Sequence, residues 1–208
     1  MNIELNIERI NFNLANLKLP IIIIIGPPGA GKTVVGLGLS QCLNWDYYDT
    51  DVLIEQATSM TVSEIFSKHK EIVFRQLEGA LVNQMTKMCQ KPADNTKSSG
   101  GTIISCGGGL PIPPQNFANL LKLGDIVCLQ ASASVLIERV GPVKHRPLLN
   151  LNIADEENTQ TNSTEQLFRL EKLLSERQEV YAQAPYQIDT SNKSIEAVVA
   201  TIRILLKL

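Results

Sequence analysis

The stretch Gly26-Pro-Pro-Gly-Ala-Gly-Lys-Thr33 follows directly on five isoleucines, Ile21 to Ile25, and constrains the chain more than any other. Gly26, Gly31, Lys32 and Thr33 occupy every fixed position of the pattern G-x-x-x-x-G-K-[ST]. An apolar, β-branched run without polar alternation predicts a parallel strand covered on both faces. Such a strand delivers the chain to a tight turn. There the backbone N–H groups of Gly29, Ala30 and Gly31 can face a polyphosphate with few Cβ atoms in the way. A helix then starts at about Lys32 and adds the positive end of its dipole. Lys32 reaches the β- and γ-phosphates, and the Thr33 hydroxyl is placed to ligate Mg²⁺. The stretch therefore predicts a nucleoside triphosphate site for ATP and Mg²⁺.

Length and composition narrow the partners. A chain of 208 residues suits one α/β domain with a full core. A net charge of −2 with no Lys/Arg run speaks against a nucleic-acid groove and favours a small-molecule partner. The longest apolar run, around Leu19 to Ile25, is far shorter than the ~20 residues of a membrane span. Residues 1–18 have the order of neither a secretion signal nor a transit peptide. They read as an extension, a short helix packed on or trailing from the domain. The four cysteines, Cys42, Cys89, Cys106 and Cys128, lie in apolar patterns without metal spacing, which predicts buried, reduced thiols in a cytosol.

In chain order, the pattern predicts a helix from Thr33 to Leu43 burying Val35, Leu39 and Cys42, then a strand over Trp45–Tyr48. Helical segments follow over Val52–Ala57, Thr61–Ser67 and Glu71–Met88, the last with Phe74, Leu77, Leu81, Met85 and Met88 on one stripe. Lys91–Gly101 reads as a polar surface loop. Strands are expected at Thr102–Ser105 and Asp125–Gln130, with a helix from Ser132 to Val140. Asn150 to Thr164 has the composition of a flexible flap. A helix over Glu165–Ala182, a strand at Tyr186–Asp189 and a closing helix to Leu206 complete the chain. No element is assigned between Gly109 and Asp125. The alternation predicts a parallel sheet with helices on both faces, as one domain over residues 19–208 with a lid at about 143–164.

Ligands of such a sheet sit at the carboxyl ends of its strands. Three of these ends carry chemistry: the phosphate loop, Asp49-Thr-Asp51, and Gly107-Gly-Gly109. Asp49 fits a Mg²⁺ ligand, and Asp51 an acceptor's hydroxyl from which it takes the proton. The alternative is that both acids cap the next helix. The triple glycine lets backbone N–H groups approach a polar ligand, or forms a plain flexible loop. Arg75 and Arg177, each taken singly, read as solvated helix arginines. Arg146 opens the flap, where phosphoryl transfer needs a cation as water is excluded, and Arg139 lies one helical segment earlier. His69 and His145 read as bystanders.

Taken together, Gly26–Thr33, Asp49-Thr-Asp-Val-Leu-Ile-Glu55, Glu64-Ile-Phe66, Phe74-Arg-Gln-Leu-Glu78, Gly107–Gly109, Arg146-Pro-Leu-Leu149 and Arg177-x-x-x-Tyr181-x-x-Ala184 resemble the shikimate kinase family of P-loop proteins. The resemblance covers about residues 19–206. It implies a five-stranded parallel sheet and transfer of the ATP γ-phosphate to the 3-hydroxyl of shikimate, on the route to aromatic amino acids, by a cytosolic or plastid-type enzyme. It also implies that Asp51 engages the ring hydroxyls, that Arg75 and Arg177 hold the carboxylate, and that Gly107, Gly108 and Gly109 complete the acceptor pocket. Arg146 becomes the lid arginine, and Arg139 lies against adenine. The chain departs from the family pattern at Ser59 and Lys70, where glycine is usual, at Leu37, where arginine is frequent, and in its polar insertions. Two rival readings stay open: a kinase of another small hydroxy acid such as gluconate, and a non-catalytic nucleotide-gated module. Without an exposed apolar repeat, a monomer is expected.

Overall fold

The structure, a computed structural model, describes residues 7, 10–14, 17–89, 100–140 and 159–208, the side chains of 140 and 159–166 excepted. Arg146, His145 and most of the expected lid and Lys91–Gly101 loop lie outside the described residues. Five strands, β1 (Ile21–Ile25), β2 (Asp46–Asp49), β3 (Thr102–Ser105), β4 (Asp125–Gln130) and β5 (Tyr186–Asp189), form one parallel sheet. Their order is β2-β3-β1-β4-β5, so β1 is central. The helices are α1 (Lys32–Leu43), α2 (Thr50–Thr58), α3 (Val62–Cys89), α4 (Pro114–Leu123), α5 (Ala133–Val140), α6 (Thr159–Ala182) and α7 (Ile195–Leu206).

The five isoleucines of β1 are at most 1% exposed, because strand alternation gives each face of the sheet its own helical cover. Ile21, Ile23 and Ile25 pack with Leu77, Leu81 and Met85 of α3 and with Leu120 of α4. Ile22 and Ile24 pack with Val35 and Leu39 of α1 and with Val198 and Ile202 of α7. In register, Ser105 of β3 stands opposite Ile24 of β1 on one side and Asp49 of β2 on the other. Three chain reversals thus begin at one level.

Several expectations are corrected. Residues Pro114–Leu123 form α4, for which the sequence reading has no element. α6 starts at Thr159, so 159–164 are helical rather than part of a flap. Cys42 is exposed and Cys89 half-buried, while Cys106 and Cys128 are buried. Helical spacing puts Cys42 on the covered face of α1, yet in the last turn its neighbour Gln41 is exposed too. Residues 10–14 form no helix. Phe12 and Leu14 instead sink into the α3 side of the core, and the Gln84 amide both donates to the Phe12 carbonyl (2.8 Å) and accepts from its N–H (3.2 Å). Among the described residues no helix is long and apolar enough to cross a membrane.

α3 is two helices joined by a kink at Lys70, whose φ of 69° and ψ of 168° lie in a region normally reserved for glycine. Ser59, at the end of α2, is left-handed at φ 52°. These are the two positions where the resemblance leads one to expect glycine, and both hold a positive φ that favours it. A non-glycine residue held like Lys70 costs on the order of 1–3 kcal/mol. Lys70→Gly should therefore raise Tm, by roughly 2–4 °C once the greater freedom of glycine in the unfolded chain is subtracted. A melting curve that shifts downward instead would mean the kink stores no strain.

Candidate active site

β1 leads into the phosphate loop. Gly31 caps α1 with φ 92°, a left-handed geometry that turns the chain into the helix. Gly26 has φ 139°, and a Cβ there would overlap the Leu129 carbonyl of β4. The Lys32 ammonium donates to the carbonyls of Gly26 and Pro27, both at 2.9 Å, which folds it back over the loop. Ser105 of β3 donates to the Lys32 carbonyl at 3.0 Å and ties the base of α1 to the sheet.

β2 ends on Asp49, and here the two readings of this acid prove compatible. Oδ1 accepts from the Asp51 N–H at 3.0 Å and caps α2, while Oδ2 accepts from the Thr33 hydroxyl at 3.1 Å. Thr33 and Asp49 together offer an adjacent hydroxyl and carboxylate, a hard oxygen pair of the kind Mg²⁺ takes. Asp51 occupies the first turn of α2 and lines the cavity beyond.

β3 ends on Ser105 and the chain runs on through Cys106 into the triple glycine. The Gly107 N–H donates to the buried Thr50 hydroxyl at 2.8 Å, which fixes the turn to the start of α2. A Cβ at Gly107 would displace the Asp51 carboxylate, and one at Gly109 the Arg75 guanidinium. Arg75 is no solvated helix arginine. Its Nη1 donates to Glu78 Oε2 at 2.7 Å, and its Nε and Nη2 donate to Glu71 Oε1 at 3.1 and 2.8 Å. Phe74 lies beneath the guanidinium at 5.6 Å. From α6, Arg177 reaches the same turn, with a guanidinium nitrogen 3.5 Å from where a Gly108 Cβ would stand.

The loop, the two acids, the glycine turn and both arginines line one cavity of ≈ 280 Å³. Arg139 lies apart from it. Its guanidinium donates to the Thr190 hydroxyl (2.9 Å) and carbonyl (2.6 Å) beyond β5. Glu71, Glu78 and Tyr181 carry no role in the sequence reading. The acids were signalled by their spacing of four and three residues about Arg75. Tyr181 donates to the Gly108 carbonyl at 2.7 Å across 73 residues, which no local pattern reports.

Burial pushes the Glu78 carboxyl up to about 7; the charge of Asp51 adds to the rise, and Arg75 and Arg177 oppose it. Its Oε1 is buried, with no hydrogen-bond partner among the described residues. Burial likewise pushes the Tyr181 phenol up to about 12, so it keeps the proton it donates. Because the folded-state value of Glu78 lies above its ordinary 4.5, the folded chain holds a proton that the unfolded chain releases between those values. The stability contributed by this group is full below about pH 4.5 and lost as pH rises through about 7. Melting wild type and Glu78→Gln across that window should show wild type losing stability relative to the variant as pH rises. A pH-independent difference would contradict the assignment.

The sequence model of the shikimate kinase family matches residues 28–207. A shikimate kinase of Caldanaerobacter subterraneus subsp. tengcongensis is 36% identical over 188 residues, which is 90% of this chain and 96% of that protein. One of Thermodesulfovibrio yellowstonii is 34% identical over 181 residues, 87% of this chain and 91% of its own. Among solved structures, shikimate kinase from Acinetobacter baumannii in complex with shikimate is similar with a TM-score of 0.75 at 27% identity, covering 92% of this chain and 94% of that one. The shikimate kinase of Bacteroides thetaiotaomicron gives 0.73 at 28%, covering 90% and 98%. The match runs from the phosphate loop through the closing helix, and the chain belongs to the shikimate kinase family.

Proposed function

We propose that this protein is an ATP-dependent phosphotransferase that carries the γ-phosphate of ATP to the 3-hydroxyl of shikimate. The observation that carries the reading is the single cavity in which the phosphate loop, Asp51 and the two arginines face one another. One end is built for polyphosphate and the other for a small anion with hydroxyls. The reading needs only residues of one chain, in keeping with a monomer.

Each residue has a physical task in it. Lys32 exchanges the carbonyls of Gly26 and Pro27 for the β- and γ-phosphate oxygens. Gly29, Ala30, Gly31 and Thr33 cradle the phosphates with backbone N–H groups at the start of α1. Thr33 and Asp49 would hold Mg²⁺, whose bound charge offsets the charge of the phosphates. Arg139, which donates to Thr190 beyond β5, would lie against adenine. Arg75 and Arg177 take the shikimate carboxylate, which Arg's planar fork matches, and the Gly107–Gly109 backbone closes that end. Asp51 accepts the proton of the 3-hydroxyl as its oxygen attacks the γ-phosphorus. The bond from that phosphorus to the β–γ bridging oxygen breaks, and ADP leaves. Arg146 meets the charge on the transferring group.

Three experiments test this. Release of ADP from MgATP should be strongly stimulated by shikimate and left at its basal level by gluconate; stimulation by gluconate instead would keep the chemistry and move the acceptor. Asp51→Asn should lower kcat by about 10²–10⁴ with little change in the KM for ATP, and unchanged turnover would remove Asp51 from its role. Arg177→Ala should raise the KM for shikimate about ten- to a hundredfold, the loss expected of a hydrogen bond to a charged group.

A further inference from the structure

The backbone groups of the glycine turn can be accounted for one by one. The Gly107 N–H is taken by Thr50, and the carbonyls of Gly107 and Gly109 accept from the N–H groups of Leu110 and Ile112, both at 3.1 Å. The Gly108 carbonyl accepts from Tyr181. Among the described residues, the N–H groups of Gly108 and Gly109 remain for a ligand. In a trans peptide the C=O of one residue and the N–H of the next point in opposite directions. A hydrogen bond that fixes the Gly108 carbonyl toward α6 therefore fixes the Gly109 N–H away from α6. Gly109 is also the residue that abuts Arg75.

The phenol has a second neighbour. Arg177, one helical turn earlier on α6, acts on the phenol as a nearby cation and reaches the same Gly108, with a guanidinium nitrogen 3.5 Å from where its Cβ would stand. With its proton given to Gly108, the oxygen presents lone pairs to that cation. Tyr181 is 4% exposed and sits in the core cluster under the sheet, so its ring cannot swing without disturbing packing.

We propose that the Tyr181 hydroxyl is a positioning residue for the acceptor's carboxylate: it sets the glycine turn so that the Gly109 N–H faces the ligand, and it anchors Arg177 beside it. This rests on the phosphotransfer reading given above and adds what holds its anion-binding end in shape. Among the described residues the hydroxyl donates to Gly108 and to neither the phosphate loop nor Thr33 and Asp49, so its loss is expected mainly on the carboxylate side.

The test is Tyr181→Phe, which keeps the ring and removes the oxygen. The KM for shikimate should rise roughly tenfold, with kcat and the KM for ATP unchanged. With an acceptor analogue whose carboxylate is replaced by a neutral carboxamide, the variant's loss in kcat/KM should be clearly smaller than with shikimate, because Arg177 then has no charge to meet. An active wild type matched by the variant in shikimate KM overturns the proposal. So does a parallel loss in kcat and both KM values, or an equal loss with the carboxamide, since a merely structural role would produce either. A folded wild type without shikimate-stimulated ADP release overturns the phosphotransfer reading itself and this inference with it.

Discussion

Ser105 pairs with Ile24 on one side and with Asp49 on the other, and that register decides where every reactive group of this protein stands. Parallel strands ending at one level release their chains on the same side of the sheet. The phosphate loop, the start of α2 and the glycine turn consequently meet, although 24 and 105 are far apart in sequence. The register is held by apolar packing on both faces of β1, and polar ties then lock its ends: Ser105 to Lys32, and Gly107 to Thr50. A slip of one residue would reverse the faces of a strand and separate these ties.

The electrostatics of the cavity follow from what surrounds each arginine. Arg75 is partly buried and already holds two carboxylates of its own helix. Its desolvation is therefore met before any acceptor arrives, and the guanidinium is kept in a fixed orientation above Phe74. Glu78 is pulled both ways: burial, with Asp51 nearby, pushes its carboxyl up, and Arg75 opposes that rise. A buried ion pair of this kind adds little to stability, and its value lies in geometry.

The sequence made the phosphate loop, β1 and the order of strands and helices legible because these signals are local. A buried strand shows as an uninterrupted apolar run, and the loop as fixed spacings. α4 was hidden for a physical reason: its covered face includes Asn116 and Asn119, which bond to the Leu110 carbonyl and to Asn83, so polar residues break the apolar stripe. Pro113-Pro114 reads as a turn, yet proline also suits the first helical position. Cys42 was misplaced because spacing identifies a face but not how far its cover extends. In the site, Asp49, Asp51, Gly107–Gly109, Arg75 and Arg177 were found by motif, and the structure gathers all of them around one cavity. The partners that hold them, Thr50 on Gly107 and Tyr181 on Gly108, act across 57 and 73 residues and leave no local trace. Arg146 falls outside the described residues.

The central claim is that this cavity joins an ATP γ-phosphate to one particular hydroxyl of a small carboxylic acid. The most direct measurement is a phosphorus–proton NMR correlation on the product formed from MgATP and shikimate. One new phosphate ester is expected, coupled to the ring proton at the 3-position, together with an equal amount of ADP. Inorganic phosphate in place of an ester, or an ester at another hydroxyl, would contradict it.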